Sequence, residues 1–395
     1  MNSKLENYKY RLITGLFTAT TCIAASYATF FLFSRGVSDY ETGIIVAVAN
    51  ITATLIAPVL GRLADKSRRI SSKTLIVILS ALQIFVSVIL LFNVPTFITS
   101  IIYCVLVMNV YLIMPILNAV SFQYGKNKIT IDYGIARGFG SMFFAITSFA
   151  LGRCTGIWGA NVVPIASLIL NFVVFVLAFR ILPNEPVFGL KEIDTTEQVN
   201  RISGSAFLKK YPLFFVMLLG IILIMLFHNM AQLYFIRIVE NVGCGASEMG
   251  IAISVAAVLE IPALFLYTKI NKHISTKTLL IVSGVSFFLK GMLLCFAGSI
   301  WIVYMAQVLQ LTSFAIMAGA RVYYAHEVVD KEDEVTGQTF MNWSDTISCV
   351  LGSTIGGFLM SFSGGITVVL LVGSVICLVG TAIVCLVVFL SRKKY

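Results

Sequence analysis

Residues 183–211, PNEPVFGLKEIDTTEQVNRISGSAFLKKY, are the one long polar stretch in a chain of 395 residues. Apolar runs lie on both sides of it. They fall at roughly 12–34, 40–61, 73–93, 97–120, 133–153 and 158–182 before it, and at 212–237, 247–268, 276–297, 300–325, 337–361 and 366–390 after it. A helix crossing a bilayer uses about 20 mostly apolar residues, so each run is long enough for one span, and the polar stretch divides twelve spans six and six. The expected fold is an all-α integral membrane protein of twelve transmembrane helices in two pseudo-symmetric halves. The N-terminal half covers 1–182, the C-terminal half 212–395, and 183–211 is the linker between them.

The composition agrees. Hydrophobic residues make up 58% of the chain and charged residues only 12%, against roughly 25% charged in soluble domains. Apolar side chains spread at this density exclude an ordinary soluble enzyme, a disordered chain, a coiled coil and a disulfide-stapled secreted scaffold. The eight cysteines sit mostly singly inside apolar runs, with no C-x-x-C spacing, and read as small packing residues. The polar start MNSKLENYKYR precedes a long span without a small-residue cleavage site, so no removable signal peptide is expected.

A net charge of +10 could suggest a nucleic-acid partner, but the placement of the cations decides otherwise. Of 28 Lys and Arg, 23 fall in the tails, the linker and the loops on one side; Arg35, Arg153 and Arg237 fall on the other; Arg137 and Lys290 lie within spans. The positive-inside rule then sets both termini and the linker in the cytoplasm. No nucleic acid is implied, and the expected partners are a small-molecule substrate, a proton and the bilayer, with the chain acting as a monomer. The location expected is the plasma membrane.

Between spans 2 and 3 the sequence runs Gly61-Arg62-Leu63-Ala64-Asp65-Lys66-Ser67-Arg68-Arg69. Gly61 would let helices approach closely, Asp65 could face the positive end of a neighbouring helix, and Arg62 and Arg69 could pair with carboxylates or the anionic leaflet. The plainer reading is a solvated turn. The spacing resembles the signature loop of the major facilitator superfamily, G-x-L-a-D-r-x-x-r-r, which implies a conformational latch formed by Gly61, Arg62, Asp65 and Arg69. A narrower resemblance is carried by Glu41-Thr42-Gly43-Ile44-Ile45, by Tyr133-Gly134-Ile135-Ala136-Arg137-Gly138-Phe139-Gly140-Ser141 and by Leu259-Glu260-Ile261-Pro262. These are similar to the lactose permease and phenylpropionate permease branch, whose members import sugars, nucleosides or small aromatic acids with protons.

Ionisable groups inside a bilayer cost several kcal/mol and are functional candidates by default. Arg137, in span 5, occupies the position of that branch's substrate-binding arginine, and its guanidinium fork suits hydroxyls or a carboxylate. The plainer alternative is an arginine snorkelling to the interface. Phe144 sits where a substrate-stacking tryptophan is found in the lactose permease. Glu260, followed by the helix-loosening Pro262, matches the essential acid of span 8 and is a candidate ligand or proton carrier. Lys290 in span 9 needs a partner at that depth, and Glu260 is the one expected. Asp345 in span 11 and His228 in span 7 form a second expected pair. Glu260, Asp345 and His228 are thus the candidate proton-coupling groups.

Departures from the pattern matter equally. Asn118 stands where the branch carries an acid, so it can bind neutral polar groups but cannot neutralise Arg137, and an unpaired Arg137 favours an anionic substrate. In span 10, Gln310 replaces a histidine and Ser313 a glutamate, and neither titrates near neutral pH. Substrate contacts are therefore expected from Arg137, Asn118, Phe144, Glu260, Lys290 and Gln310. The acidic run Asp330-Lys331-Glu332-Asp333-Glu334 reads as a solvated loop, and the sequons at Asn50 and Asn342 fall inside helices. No metal cluster, nucleotide fingerprint or nucleophile triad appears in the sequence, so no catalytic residue, metal or cofactor beyond a proton gradient is implied. The reading is a proton-coupled importer working by alternating access. A proton-coupled drug antiporter and a non-transporting membrane sensor are the alternatives left open.

Overall fold

The computed structural model describes residues 3–66, 71–126, 133–182 and 204–392. Helices account for nearly all of them. Helix α1 runs Ser3–Thr21, passes through a π-turn at Cys22–Ser26 and resumes at Ala28–Ser34. Then follow α2 (Asp39–Lys66), α3 (Ser72–Leu90), α4 (Thr96–Lys126), α5 (Tyr133–Trp158) and α6 (Val162–Ile181). The second half comprises α7 (Pro212–Leu233, continued by Phe235–Asn241), α8 (Ala246–Ile270) and α9 (Thr276–Cys295), then α10 (Ile300–Val308, a 3-10 turn Leu309–Leu311, and Phe314–Val328), α11 (Glu334–Met360) and α12 (Gly365–Arg392). A short helix, Gly204–Lys210, precedes α7. Successive helices run antiparallel, so the bundle has a termini end, bearing residues 3 and 392, and a far end.

Ten of these helices are long and apolar enough to cross a membrane, and α1 makes an eleventh if its two segments, bent by 49°, count as one span. Helix α11 has the length but not the apolarity, because its inner faces carry Gly352, Ser353, Gly356 and Gly357 for packing and Asp345 and Thr346 for the interior. Local chemistry fixes the ends. The Ser71 and Ser275 side chains accept from the backbone N–H groups of Thr74 and Thr278, and Glu248 reaches back to the N–H of Gly245. The π-turn in α1 frees backbone carbonyls, and the Ala24 carbonyl is taken up by the Tyr103 hydroxyl at 3.0 Å.

The two halves meet mainly where α2 lies against α11 and α5 against α8. Small residues permit this approach: a Cβ on Gly250 would sit 2.7 Å from the Cα of Gly152 and 2.5 Å from the carbonyl oxygen of Ser148. Polar bonds then cross the far end. Ser148 donates to the Gly250 carbonyl at 3.2 Å, Thr29 to the Leu233 carbonyl at 2.6 Å, and Tyr234 to the Asp39 carbonyl at 3.1 Å. Arg237 completes the seal, with Nε and Nη2 on the Asp39 carboxylate at 3.1 Å and its guanidinium carbon 3.7 Å from the centre of the Phe33 ring.

At the termini end, the acidic run does more than face solvent. Lys210 bonds Asp330 and Asp333 at 2.8 Å, the Tyr211 hydroxyl reaches both, and Asp333 is buried. Phe207 of the short helix packs its ring on Tyr211, Phe214 and Phe340, and Phe340 in turn meets Trp343. The linker's exit is thereby docked under the second half. Of the expected latch, Gly61 has open space around it, with no described atom within 4 Å of an added Cβ. Among the described residues, then, no helix approaches Gly61 closely. The side chains of Arg62 and Asp65, and all of Arg69, lie outside the described residues.

Two outcomes follow from these ties. Arg237→Ala removes a bidentate, mostly buried bond across the halves, worth about 1.5–3 kcal/mol. Spin labels at the exposed Ile157 and Trp301, on opposite halves at the far end, should show a longer, broader distance distribution in that variant than in the otherwise native protein. At the other end, the hydrogen bonds of Lys210 and then Tyr211 hold the Asp330 carboxyl below its ordinary value. A depressed carboxyl adds stability that is present above the unfolded value, about 3.9, and lost as pH falls through the folded one. Trp343 fluorescence should therefore report undocking below about pH 4, and at higher pH in Lys210→Ala.

Candidate functional site: a polar cavity between the halves

Between the halves lies a cavity of about 480 Å³. It reaches from mid-bundle toward the termini end, because Asn118, Arg137 and Arg321 on its walls sit within the terminal turns of α4, α5 and α10 that face that end. The helical period explains which side chains arrive there. On α5, Arg137, Gly140, Ser141 and Phe144 share one face; on α8, Ile253, Ala256, Ala257 and Glu260 do so; on α11, Asp345, Thr346 and Cys349 do so. Helix α10 departs from the regular pattern. Its 3-10 turn at Leu309–Leu311, and the irregular backbone of Ser313 (φ −87°, ψ −85°), set Gln307, Gln310 and Phe314 on the same wall.

On the N-terminal wall, Arg137 is exposed to the cavity and makes no hydrogen bond or ion pair among the described residues. Asn118 turns a buried Oδ1 that has no partner, and Phe144 stands half-buried beside them. Opposite, the expected Glu260–Lys290 pair is replaced by a relay. The buried Lys290 ammonium donates to Gln310 Oε1 at 2.6 Å, and Gln310 Nε2 donates to Glu260 Oε1 at 2.9 Å. An amide fits there because its carbonyl end answers a cation and its N–H end an anion. Lys290 itself lies behind Gln310 and is not on the cavity wall, so it acts on the cavity only through that amide.

The expected His228–Asp345 pair is not formed either. His228 lines the cavity between two rings, stacked 4.8 Å from Phe314 and tilted 5.4 Å from Phe287. Asp345 is held by Arg321 instead, Nη1 on Oδ1. Sequence reasoning placed Arg321 among the cations of a surface loop. Its signal was in the spacing: Gln310, Phe314, Met317 and Arg321 continue one helical face, and α10 runs on three residues past the apolar run that ends near 325. Unpartnered buried atoms also mark the walls, namely Thr14 Oγ1, Asn118 Oδ1, Gln307 Oε1 and Arg321 Nε. Such groups are normally satisfied, so a hydrated or solute-filled cavity is the natural complement. No group of three or more His, Cys, Asp or Glu that could hold a metal occurs among the described residues.

Two helical halves around a polar cavity are the architecture of a membrane transporter of the major facilitator type. The chain belongs to the MFS_1 like family, whose model matches residues 10–371. It is 26% identical over 255 residues to the uncharacterized transporter YwbF of Bacillus subtilis (strain 168), a match that covers 64% of this chain and 59% of that protein. Its fold is similar to that of the nucleoside transporter NupG, with a TM-score of 0.79 at 14% identity and full coverage of both chains. It is likewise similar to a bacterial homologue of the lysosomal transporter Spinster in an inward-facing conformation, with a TM-score of 0.75 at 12% identity, covering 98% of this chain and 96% of that one.

The relay generates its own test. Gln310→Met keeps the volume but leaves a buried ammonium and a buried carboxyl without their bridge, a loss of about 2–4 kcal/mol. The denaturation midpoint in detergent should fall accordingly, and neutralising both charges on that background (Lys290→Met with Glu260→Gln) should recover most of it.

Proposed function

We propose that this chain imports a small polar organic solute, a sugar, nucleoside or organic acid, across the cell membrane as a proton symporter by alternating access. The observation that carries the reading is the cavity itself, in which an unpartnered arginine on one half faces carboxyl groups on the other. Arg137, Asn118 and Phe144 contact the solute from the N-terminal half. Gln310 and Glu260 meet it from the C-terminal half, with Lys290 acting through Gln310. The proton is carried by Glu260 or Asp345, with His228 beside them. The cations that the sequence assigns to one side, 22 of them once Arg321 is counted on the cavity wall, support a cytoplasmic termini end by the positive-inside rule, so in this reading the conformation described faces inward, with the far end sealed on the outside. The loop of Gly61, Arg62, Asp65 and Arg69 then acts as the cytoplasmic latch of the opposite conformation. A monomer suffices, and no cofactor is needed beyond the proton gradient.

Thermal stabilisation of the detergent-solubilised protein by lactose, uridine, benzoate and lipophilic cationic drugs tests this. A bound solute at about 100 times its Kd stabilises the folded state by about 2.7 kcal/mol. The expected outcome is a response to a sugar, nucleoside or organic acid that weakens at least tenfold in Arg137→Gln, together with acidification-driven uptake of the same solute in proteoliposomes. A response to cationic drugs alone, indifferent to Arg137, would overturn the reading in favour of export.

A further inference from the structure

Arg321, on the cavity wall, is bonded on one side of its guanidinium and not on the other. Its side chain is 12% exposed and that of Asp345 48%. Nη1 is engaged by Asp345, its one partner among the described residues, while Nε is buried with none. A guanidinium offers a carboxylate a second, side-on fork through Nε and Nη2, and on Arg321 that fork is unclaimed. The asymmetry points to a ligand of a particular chemistry. If an incoming carboxylate takes the free fork while Asp345 keeps Nη1, two carboxylates share one guanidinium, and closure of the cavity around them would leave a net negative charge away from water. Protonating Asp345 removes that charge.

We propose that Arg321 and Asp345 form a proton-linked carboxylate subsite, so that the solute is a small organic monocarboxylate whose binding brings one proton onto Asp345. The step balances: the solute carboxylate gains two N–H bonds from Arg321, Asp345 takes one proton from the buffer acid in bulk solution, and the cavity's net charge is unchanged. Linkage makes this reciprocal, so the proton favours the anion as much as the anion favours the proton. The groups facing Asp345 are consistent with this assignment. From α10 comes Arg321, from α7 the ring-sandwiched His228, and from α11 itself Cys349 one turn on and Glu334 three turns back. Of the acids of α2, Asp39 and Glu41 lie at the far end and the side chain of Asp65 lies outside the described residues, while the span of α12 offers only Cys377 and Cys385. Glu260 is already engaged with Gln310, leaving Asp345 as the carboxyl whose partner a substrate could take.

This inference rests on the importer reading, and its test separates the two. Binding of benzoate and hexanoate, and of their amides as controls, is measured by thermal shift at pH 5.5 and 7.5, and proton uptake by titration calorimetry in buffers of different ionisation enthalpy. In the native protein an acid should bind at least tenfold tighter at pH 5.5, with about one proton taken up per anion at pH 7.5. Asp345→Asn, which mimics the protonated carboxyl at constant shape, should bind the acid equally tightly at both pH values with no proton uptake. Arg321→Gln should lose the acid at both; Arg321→Lys, which keeps the charge but not the fork, should weaken it and keep the pH ratio. Arg137→Gln should weaken it equally at both pH values. Melting temperatures without ligand establish that each variant is folded. A tenfold pH ratio that persists in Asp345→Asn, acid binding undiminished in Arg321→Gln, or no response to either acid in the native protein and Asp345→Asn overturns the assignment. Binding of lactose or uridine in its place, dependent on Arg137, overturns it while leaving the importer reading intact. Binding of cationic drugs alone overturns both.

Discussion

A charge inside a bilayer must be partnered, solvated or neutralised, and the interior of this protein is organised around that requirement. Lys290, buried in α9, is answered by Gln310; Glu260 in α8 is answered by the same amide; Asp345 in α11 is answered by Arg321. These bonds tie together α8, α9, α10 and α11, so the charged network is also what fixes the C-terminal wall. The N-terminal wall has no such network. Among the described residues its only charge on the cavity is Arg137, which has no hydrogen bond or ion pair there and feels the Glu260 carboxyl only across the cavity. One half thus presents a rigid, self-compensated surface and the other a single unmatched cation. The sum over Arg137, Lys290, Arg321, Glu260 and Asp345 leaves the site one positive charge in excess.

That arrangement has a mechanical counterpart. The far end is closed by backbone against backbone at Gly152 and Gly250, by single hydrogen bonds from Ser148, Thr29 and Tyr234 to backbone carbonyls, and by Arg237 bidentate on Asp39 over the face of Phe33. Close-packed glycine contacts do not stretch, so the two halves separate there as rigid bodies or not at all. The ion pair is only partly buried, with side-chain exposures of 13% and 18%, which allows water to replace each partner when the seal opens. A fully buried pair would cost several kcal/mol more to part. Such a seal is strong enough to hold and weak enough to exchange.

The fold was legible because the bilayer imposes a length and a composition on every span, and the polar run at 183–211 interrupts them once. The residues of the site were legible for the same reason: a charge in an apolar run stands out, which is how Arg137, Glu260, Lys290 and Asp345 were found. Their pairing was not legible. Helical period says which face a residue occupies but not which neighbouring helix meets that face, and a neutral amide such as Gln310 carries no charge signal although it joins Lys290 to Glu260. Arg321 was hidden by its position near the end of an apolar run, where an arginine ordinarily belongs to a loop. Only the continuation of α10 to Val328 brings it inside. The pairing of His228 with Asp345 came from the resemblance, in which spans 7 and 11 carry a charge pair with the signs exchanged, whereas the flat ring lies between Phe287 and Phe314.

The surplus charge bears on how the halves could move. In the open cavity, water screens Arg137 and the cost of leaving it unpaired is small. Bringing the halves together around an empty site would strip that water away and leave a cation in a low dielectric, a desolvation cost that opposes closure of the empty cavity. A solute that carries one negative charge removes the penalty, and a neutral solute removes less of it by offering only hydrogen-bond acceptors. If a proton enters with the anion, the pair adds no net charge, and Arg137 must then be satisfied by the solute's remaining polar groups and by Asn118, whose buried Oδ1 has no other partner. Net charge over the walls would by itself let the anion close the cavity without a proton, so any coupling has to come from the local cluster, where a second carboxylate beside Asp345 would share the one guanidinium of Arg321.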